Sequence, residues 1–187
     1  MRRQPSQRRV ACACIAVLLA GSPILAGRLA AATSKFVLAP GSVQVRFRAY
    51  GLGLMPIEGQ FTRFRGSLTL DSKDPAVCGL WLEAETASLD MGSRLMTEDA
   101  QGADLLDVAS FPDFRVEGTC NGNRLKATLL LHGISKPIVL DVVRANGTWS
   151  ASGMMRRADW GMGARPFMAG PEVRISMTAG MPPGFGG

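Results

Sequence analysis

The chain has one histidine, His132, in 187 residues, and that scarcity removes much chemistry at once. A Ser-His-Asp or Cys-His arrangement would have to use this residue, and no second titratable group stands in view beside it. There is no G-x-S-x-G elbow, no metal-ligand spacing and no glycine-rich phosphate loop. Asp90, Glu98, Asp99 and Asp104 fall in an irregular stretch without an evident basic or nucleophilic partner. Clusters of lysine and arginine suited to phosphate contacts are also missing, which argues against nucleic acid as a partner. After the first 32 residues no segment approaches the roughly 20 apolar residues a spanning helix needs. A catalytic role is therefore not expected.

The N-terminus has what the rest lacks. Arg2, Arg3, Arg8 and Arg9 precede an apolar run from Val10 to Ala20, followed by Ser22-Pro23 and Ala30-Ala31-Ala32. This layout predicts a cleaved secretory signal over residues 1–32, with cleavage after Ala32 and a periplasmic or secreted product. Arg8-Arg9 lacks the usual companions of a twin-arginine signal, so ordinary secretion is expected. Removing five arginines (Arg28 is the fifth) leaves 16 basic against 15 acidic residues, so the net charge of +6 belongs mostly to the leader. Residues 33–187 are one domain's worth of chain. Of the four cysteines, Cys12 and Cys14 leave with the signal, and Cys78 and Cys120 remain. An oxidising compartment permits their pairing.

What remains is short alternating segments between turn residues, the pattern of antiparallel strands. Val43, Val45 and Phe47 alternate with polar neighbours, as do Leu68 and Leu70, Leu80 and Leu82, Phe114 and Val116, and Val173, Ile175 and Met177. Registers follow from the turns. A turn at Asn121-Gly122 sets Cys120 against Asn123, Phe114 against Leu129 and Val116 against Ala127. A four-residue loop from Gly133 to Lys136 sets His132 against Pro137, Leu131 against Ile138, Leu129 against Leu140 and Thr128 against Asp141. A turn at Asn146-Gly147 sets Val142 against Ala151, Leu140 against Gly153 and Ile138 against Met155. All three keep one apolar face, as a specified register requires. Leu68 against Leu80 places Phe64 on Ala84, Arg65 on Glu83 and Arg63 on Glu85. The break in period between Phe61 and Phe64 predicts a bulge or sharp bend. Thr97 as cap, with Ala100, Ala103 and Leu106 at helical spacing, predicts one short helix over residues 97–107. About eight one-faced strands close into a barrel that just fills with side chains or holds one small ligand.

Four stretches resemble the YceI-like, polyisoprenoid-binding family of exported bacterial proteins. They are GQFTRFRG (residues 59–66), LLDVASFP (105–112), LLLHGISKP (129–137) and RADWGM (157–162). The resemblance spans about Phe36 to Thr178. It implies an all-β, lipocalin-like extended antiparallel barrel, and a role in holding an isoprenoid, such as a quinone or polyprenyl lipid, or a similar amphiphilic lipid. No cofactor is implied beyond such a bound lipid or quinone. Two alternatives stand beside this role: an accessory to a redox or stress process using a bound quinone, and a barrel with no fixed ligand. The apolar GLGLM at residues 51–55, where the family commonly has polar residues, implies a ligand of different size or a rim that faces lipid. The latter admits transient membrane contact. The oligomeric state is left open, a homodimer included.

The candidate ligand-binding wall is Val45, Phe47, Phe61, Phe64, Leu80, Leu82, Phe114, Val116, Leu129, Leu131, Leu140 and Met155, with Trp160 plugging one end. The alternative is that these side chains fill a core. Gly66, Gly118 and Gly153, with Ala84, Ala127 and Ala151, are expected to make the interior roomier. The ten methionines suit either variable apolar ligands or gap-filling. A soft copper(I) site would need a compact cluster that the sequence lacks. The register that opposes Leu82 to Val116 sets Cys78 against Cys120, as a disulfide or as two buried thiols. Arg157 and Asp159 are expected to pair at the barrel end or to meet a ligand head group.

Overall fold

Among the described residues the alternation resolves into eleven strands rather than about eight. The computed structural model describes residues 33–51, 54–71, 73–74, 76–164 and 169–181. The expected leader lies outside these residues, as do Leu52, Gly53 and Met168. The strands are β1 (Thr33–Leu38), β2 (Val43–Gly51), β3 (Met55–Phe61), β4 (Phe64–Asp71), β5 (Cys78–Glu85), β6 (Leu89–Asp90), β7 (Asp113–Asn121), β8 (Arg124–Leu131), β9 (Ile134–Ala145), β10 (Thr148–Arg156) and β11 (Glu172–Gly180). They form one antiparallel sheet in the order β1-β4-β5-β7-β8-β9-β10-β11-β2-β3-β6. The three strands beyond eight are β1, β3 and β6. β3 carries Pro56 and Gly59, which weaken its reading as a strand, and β6 is only two residues long.

Closure comes from the break between Phe61 and Phe64. β3 and β4 lie near opposite ends of the sheet order, yet only Thr62 and Arg63 separate them. The N–H of Thr62 donates to the carbonyl of Ser88 (3.1 Å) and the N–H of Glu85 to that of Arg63 (3.0 Å). The chain therefore leaves one edge of the sheet, bends, and joins the other, which curls the sheet on itself.

Registers on one side match expectation. Leu68 faces Leu80, Phe64 faces Ala84, Leu82 faces Val116 and Cys78 faces Cys120. Arg63 and Glu85 form an ion pair, and Glu83 is held between Arg65 and Arg115. Two other registers are corrected. At β7–β8 the turn is Gly122-Asn123, so Cys120 faces Leu125, Val116 faces Leu129 and Gly118 faces Ala127, a slip of two. At β8–β9 the turn is His132-Gly133, with φ of 50° and 70°. Leu131 faces Ile134, Leu129 faces Lys136, Thr128 faces Pro137 and Leu125 faces Leu140, a slip of four. Two successive positive φ angles make this the hairpin turn whose twist matches the flanking strands, a turn most often occupied by Asn-Gly. The Asn146-Gly147 turn pairs Ala145 with Thr148 and Val142 with Ala151, but the ladder ends at Asp141 with Ser152. Leu140 with Gly153 and Ile138 with Met155 therefore fall beyond it.

One end of the barrel is solid core. Leu38, Leu68, Leu70, Leu125, Trp149 and Ala151 are almost fully buried there and along the adjoining wall, and Cys78 and Cys120 are joined by a disulfide. Among the described residues the one α-helix is α1, Arg94–Gln101, with Ser93 at its N-cap position. The expected span of 97–107 is too late by a turn. Thr97 lies inside α1, its hydroxyl accepting the N–H of Met91 (3.2 Å). The helix ends at Gly102, where the backbone turns extended and the Gly102 N–H donates to the carbonyl of Asp99 (3.2 Å).

Candidate functional site

The other end opens into a cavity of about 290 Å³, just below the usual range for small-molecule sites (~300–1,000 Å³). Its walls come from strands already in register. β2 supplies Val45 and Phe47, β5 supplies Leu80 and Leu82, and β7 supplies Phe114 and Val116. Leu129 and Leu131 come from β8, Leu140 from β9, Met155 from β10 and Phe61 from the end of β3. Phe61 and Phe114 meet edge to face, with ring centroids 4.7 Å apart. Of the thirteen residues expected on the wall, Phe64 and Trp160 are not among its lining residues. Phe64 packs against the core from just beyond the bend. Trp160 is buried in a 3-10 turn over Arg157–Trp160 and donates its indole N–H to the carbonyl of Leu129 (3.2 Å).

The wall also has members that the alternation could not supply. Met91, Met96, Ala100, Leu105 and Leu106 line it from α1 and the turns around it. Ala49, Ile57, Leu89, Ala151, Met162 and Ala169 line it too, and β11 adds Val173, Ile175 and Met177 from its alternating face. The signal for the first group was an apolar content at helical spacing, which predicts the short helix but not that it faces the cavity.

The small residues do a different job from the one expected. A Cβ on Gly66 would collide with the carbonyl of Trp81, and one on Gly118 with the carbonyl of Lys126 and with Ala127. A Cβ on Gly153 would lie 2.6 Å from the Leu140 side chain. These glycines permit close approach of neighbouring strands and do not line the cavity. Of Ala84, Ala127 and Ala151, only Ala151 does.

Polar lining is sparse: Arg46, Asp99, Arg157 and Ser176. The expected pairing of Arg157 with Asp159 is not formed. Asp159 lies 4.0 Å from the ammonium of Lys136. Arg157 is buried, and its guanidinium donates to four backbone carbonyls: Gly170 (2.9 Å), Met162 (2.7 Å), Ala164 (3.2 Å) and Ala169. Burial lowers its pKa from the ordinary arginine value. Such a fork suits arginine, whose planar donors satisfy several fixed acceptors at once. It ties together the chain on both sides of residues 165–168. Among the described residues no three His, Cys, Asp or Glu side chains gather as metal ligands.

A family model described as a YceI-like domain matches residues 36–181. The chain belongs to the YceI-like family. Curated relatives include a UPF0312 protein of Serratia proteamaculans, 29% identical over 86% of this chain and 92% of that one. Another, from an Enterobacter species, is 30% identical over 72% of this chain and 78% of that one. Solved structures with the same fold include Burkholderia cenocepacia BcnA, with a TM-score of 0.62 at 17% identity over 73% of this chain and 94% of that one. A polyisoprenoid binding domain from Saccharophagus degradans has a TM-score of 0.58 at 15% identity, over 79% of this chain and 98% of that one.

The stretches that carry the YceI-like resemblance converge on the closure of the barrel. Residues 59–66 form the bend. Phe111, from the second stretch, lies 4.2 Å from the ring of His132 in the third, and its carbonyl accepts the hydroxyl of Thr86 (2.6 Å). Gly161, at φ 75°, packs so closely on His132 that a Cβ would lie 3.1 Å from Nδ1. His132 is a turn residue in this YceI-like barrel and makes no contact with the cavity lining's charged groups among the interactions of the described residues.

Proposed function

We propose that this YceI-like protein is exported and holds an isoprenoid in the barrel cavity without catalysing a reaction on it. The isoprenoid is a quinone, a polyprenyl lipid or a similar amphiphile. The observation that carries this reading is the cavity wall itself, built of leucine, methionine, valine, phenylalanine, isoleucine and alanine with only four polar residues among those that line it. A branched hydrocarbon needs only such a surface. One five-carbon unit gains about 4 kcal/mol, from roughly 0.8 kcal/mol per buried carbon. Association itself costs about 4–15 kcal/mol. A chain of several units is therefore needed for stable retention, which favours long isoprenoids over short ones. The flexible side chains of Met91, Met96, Met155, Met162 and Met177 let the wall adapt to a branched tail.

The name of the Saccharophagus degradans neighbour, a polyisoprenoid binding domain, supports the same ligand class. The secretory layout of residues 1–32 supports export, and the open, apolar mouth admits transient contact with a membrane. Organic extraction of the purified protein followed by mass spectrometry tests the reading. A recurrent isoprenoid is expected. Preparations that repeatedly yield no lipid would count decisively against it.

A further inference from the structure

The β2–β3 hairpin carries features that the ligand cavity does not use. Ala49 and Ile57 are cross-strand partners and line the cavity, and the hairpin tip continues beyond them. There Leu54 is 85% exposed and Met55 65%, with Tyr50 and Pro56 also exposed. Single exposed apolar residues are ordinary, but four at one tip beside a cavity mouth are a patch.

Directly behind this tip, on the outer face, the sheet brings like charges together. Arg48 and Arg174 are direct cross-strand partners, and Arg46 stands two residues along β2 from Arg48. Glu58 pairs with Arg48, whereas Arg46 and Arg174 make no ion pair among the described residues. Like charges opposite one another destabilise a sheet, so this collar is short of counter-charge. Arg48 lies three residues from Gly51, about 10 Å along the strand. That distance is comparable to the Debye length at physiological salt.

An apolar tip with a basic collar one screening length behind it matches the layers of an anionic bilayer, acyl chains beneath charged head groups. We propose that the β2–β3 hairpin docks the cavity mouth onto a bilayer rich in anionic phospholipid. Leu54 and Met55 enter the acyl boundary, Tyr50 lies at the head-group level, and Arg48 and Arg174 meet the phosphates. This deepens the reading of the cavity as a lipid site by naming the surface from which its ligand is loaded, and it rests on that reading.

Flotation with phosphatidylcholine vesicles, with and without phosphatidylglycerol, tests the docking. The apolar N-terminal run can itself enter lipid, so the readout is the difference between full-length variants that share it. Binding is expected to rise with phosphatidylglycerol, and that increment to weaken with salt. Arg174→Gln should weaken it about fivefold, and Arg48→Gln by a similar further factor. Leu54→Asp should abolish the phosphatidylglycerol-dependent part. These positions are exposed, and an unchanged thermal melt certifies folding. Uptake of a dissolved fluorescent isoprenoid, without vesicles, should be unaltered in Arg174→Gln and Leu54→Asp. Equal flotation on both vesicle types, or variants indistinguishable from wild type, would overturn the docking. A dimer that Leu54→Asp dissolves, without vesicle binding, would assign the tip to a second copy and overturn it too. Anionic flotation with no isoprenoid uptake by the wild type would instead overturn the cavity reading and leave the docking standing.

Discussion

Trp160 donates its indole N–H to the carbonyl of Leu129, 3.2 Å away. The bond joins the 3-10 turn after β10 to the strand that supplies part of the cavity wall. Leu129 faces the cavity, and Trp160 backs the wall without lining it. Trp160→Phe should therefore cost about 1 kcal/mol, the worth of one buried hydrogen bond. Trp160→Ala should cost about 3–5 kcal/mol by leaving a hole. Urea denaturation measures both, and Trp160→Phe should leave the recovered lipid per protein unchanged.

The disulfide between Cys78 and Cys120 closes a loop with a sequence separation of 42 at the solid end of the barrel. Chain-entropy estimates give about 4 kcal/mol for a loop of that length. The double variant Cys78→Ala/Cys120→Ala should lose stability of that order, with the urea midpoint falling. Its cavity lies toward the other end, so lipid recovery should persist where the variant remains folded.

Ala151 is fully buried and also lines the cavity. In a filled core, Ala151→Leu would cost about 1–3 kcal/mol through overpacking. Beside an open cavity the added atoms have space, so the expected cost is below about 1 kcal/mol, together with reduced lipid recovery. Thermal melts of extracted protein distinguish the two.

Glu83 accepts hydrogen bonds from Arg115 and Arg65 on the two flanking strands. The bond from Arg115, then that from Arg65, holds its carboxyl below the ordinary value of 4.5. A lowered folded-state pKa means that its stabilisation is fully present above the unfolded value. It is lost as pH falls through the folded one. Glu83→Gln should thus narrow the stability difference between neutral and acidic pH, measured by urea midpoints across that range. An acid limb identical to wild type would contradict the assignment.

The faces of the strands were legible in the sequence, and the registers only in part. Side chains alternate with a period of two, so a slip of two at Gly122 or of four at His132 leaves every apolar residue on the same face. Only the turn geometry separates such registers, and His132 at φ 50° is an unusual occupant of its turn. Eleven wall residues were readable because they sit on those faces. Met96, Leu105 and Leu106 were not, because they reach the cavity from a helix and turns whose placement depends on tertiary contacts. Arg157 looked like half of an ion pair because Asp159 is close in sequence. The 3-10 turn points it instead at carbonyls from residues 162–170, an arrangement no local pattern encodes.

The central claim is that a lipid occupies this cavity. Lipid extracted from the wild type and from Phe114→Asp, quantified per protein by mass spectrometry, tests it most directly. Phe114 sits on the wall against Phe61, and a carboxylate there should expel a hydrocarbon ligand while leaving the outer face untouched. An isoprenoid present in the wild type and absent from Phe114→Asp is the predicted result. Equal amounts in both, in folded protein, would contradict it.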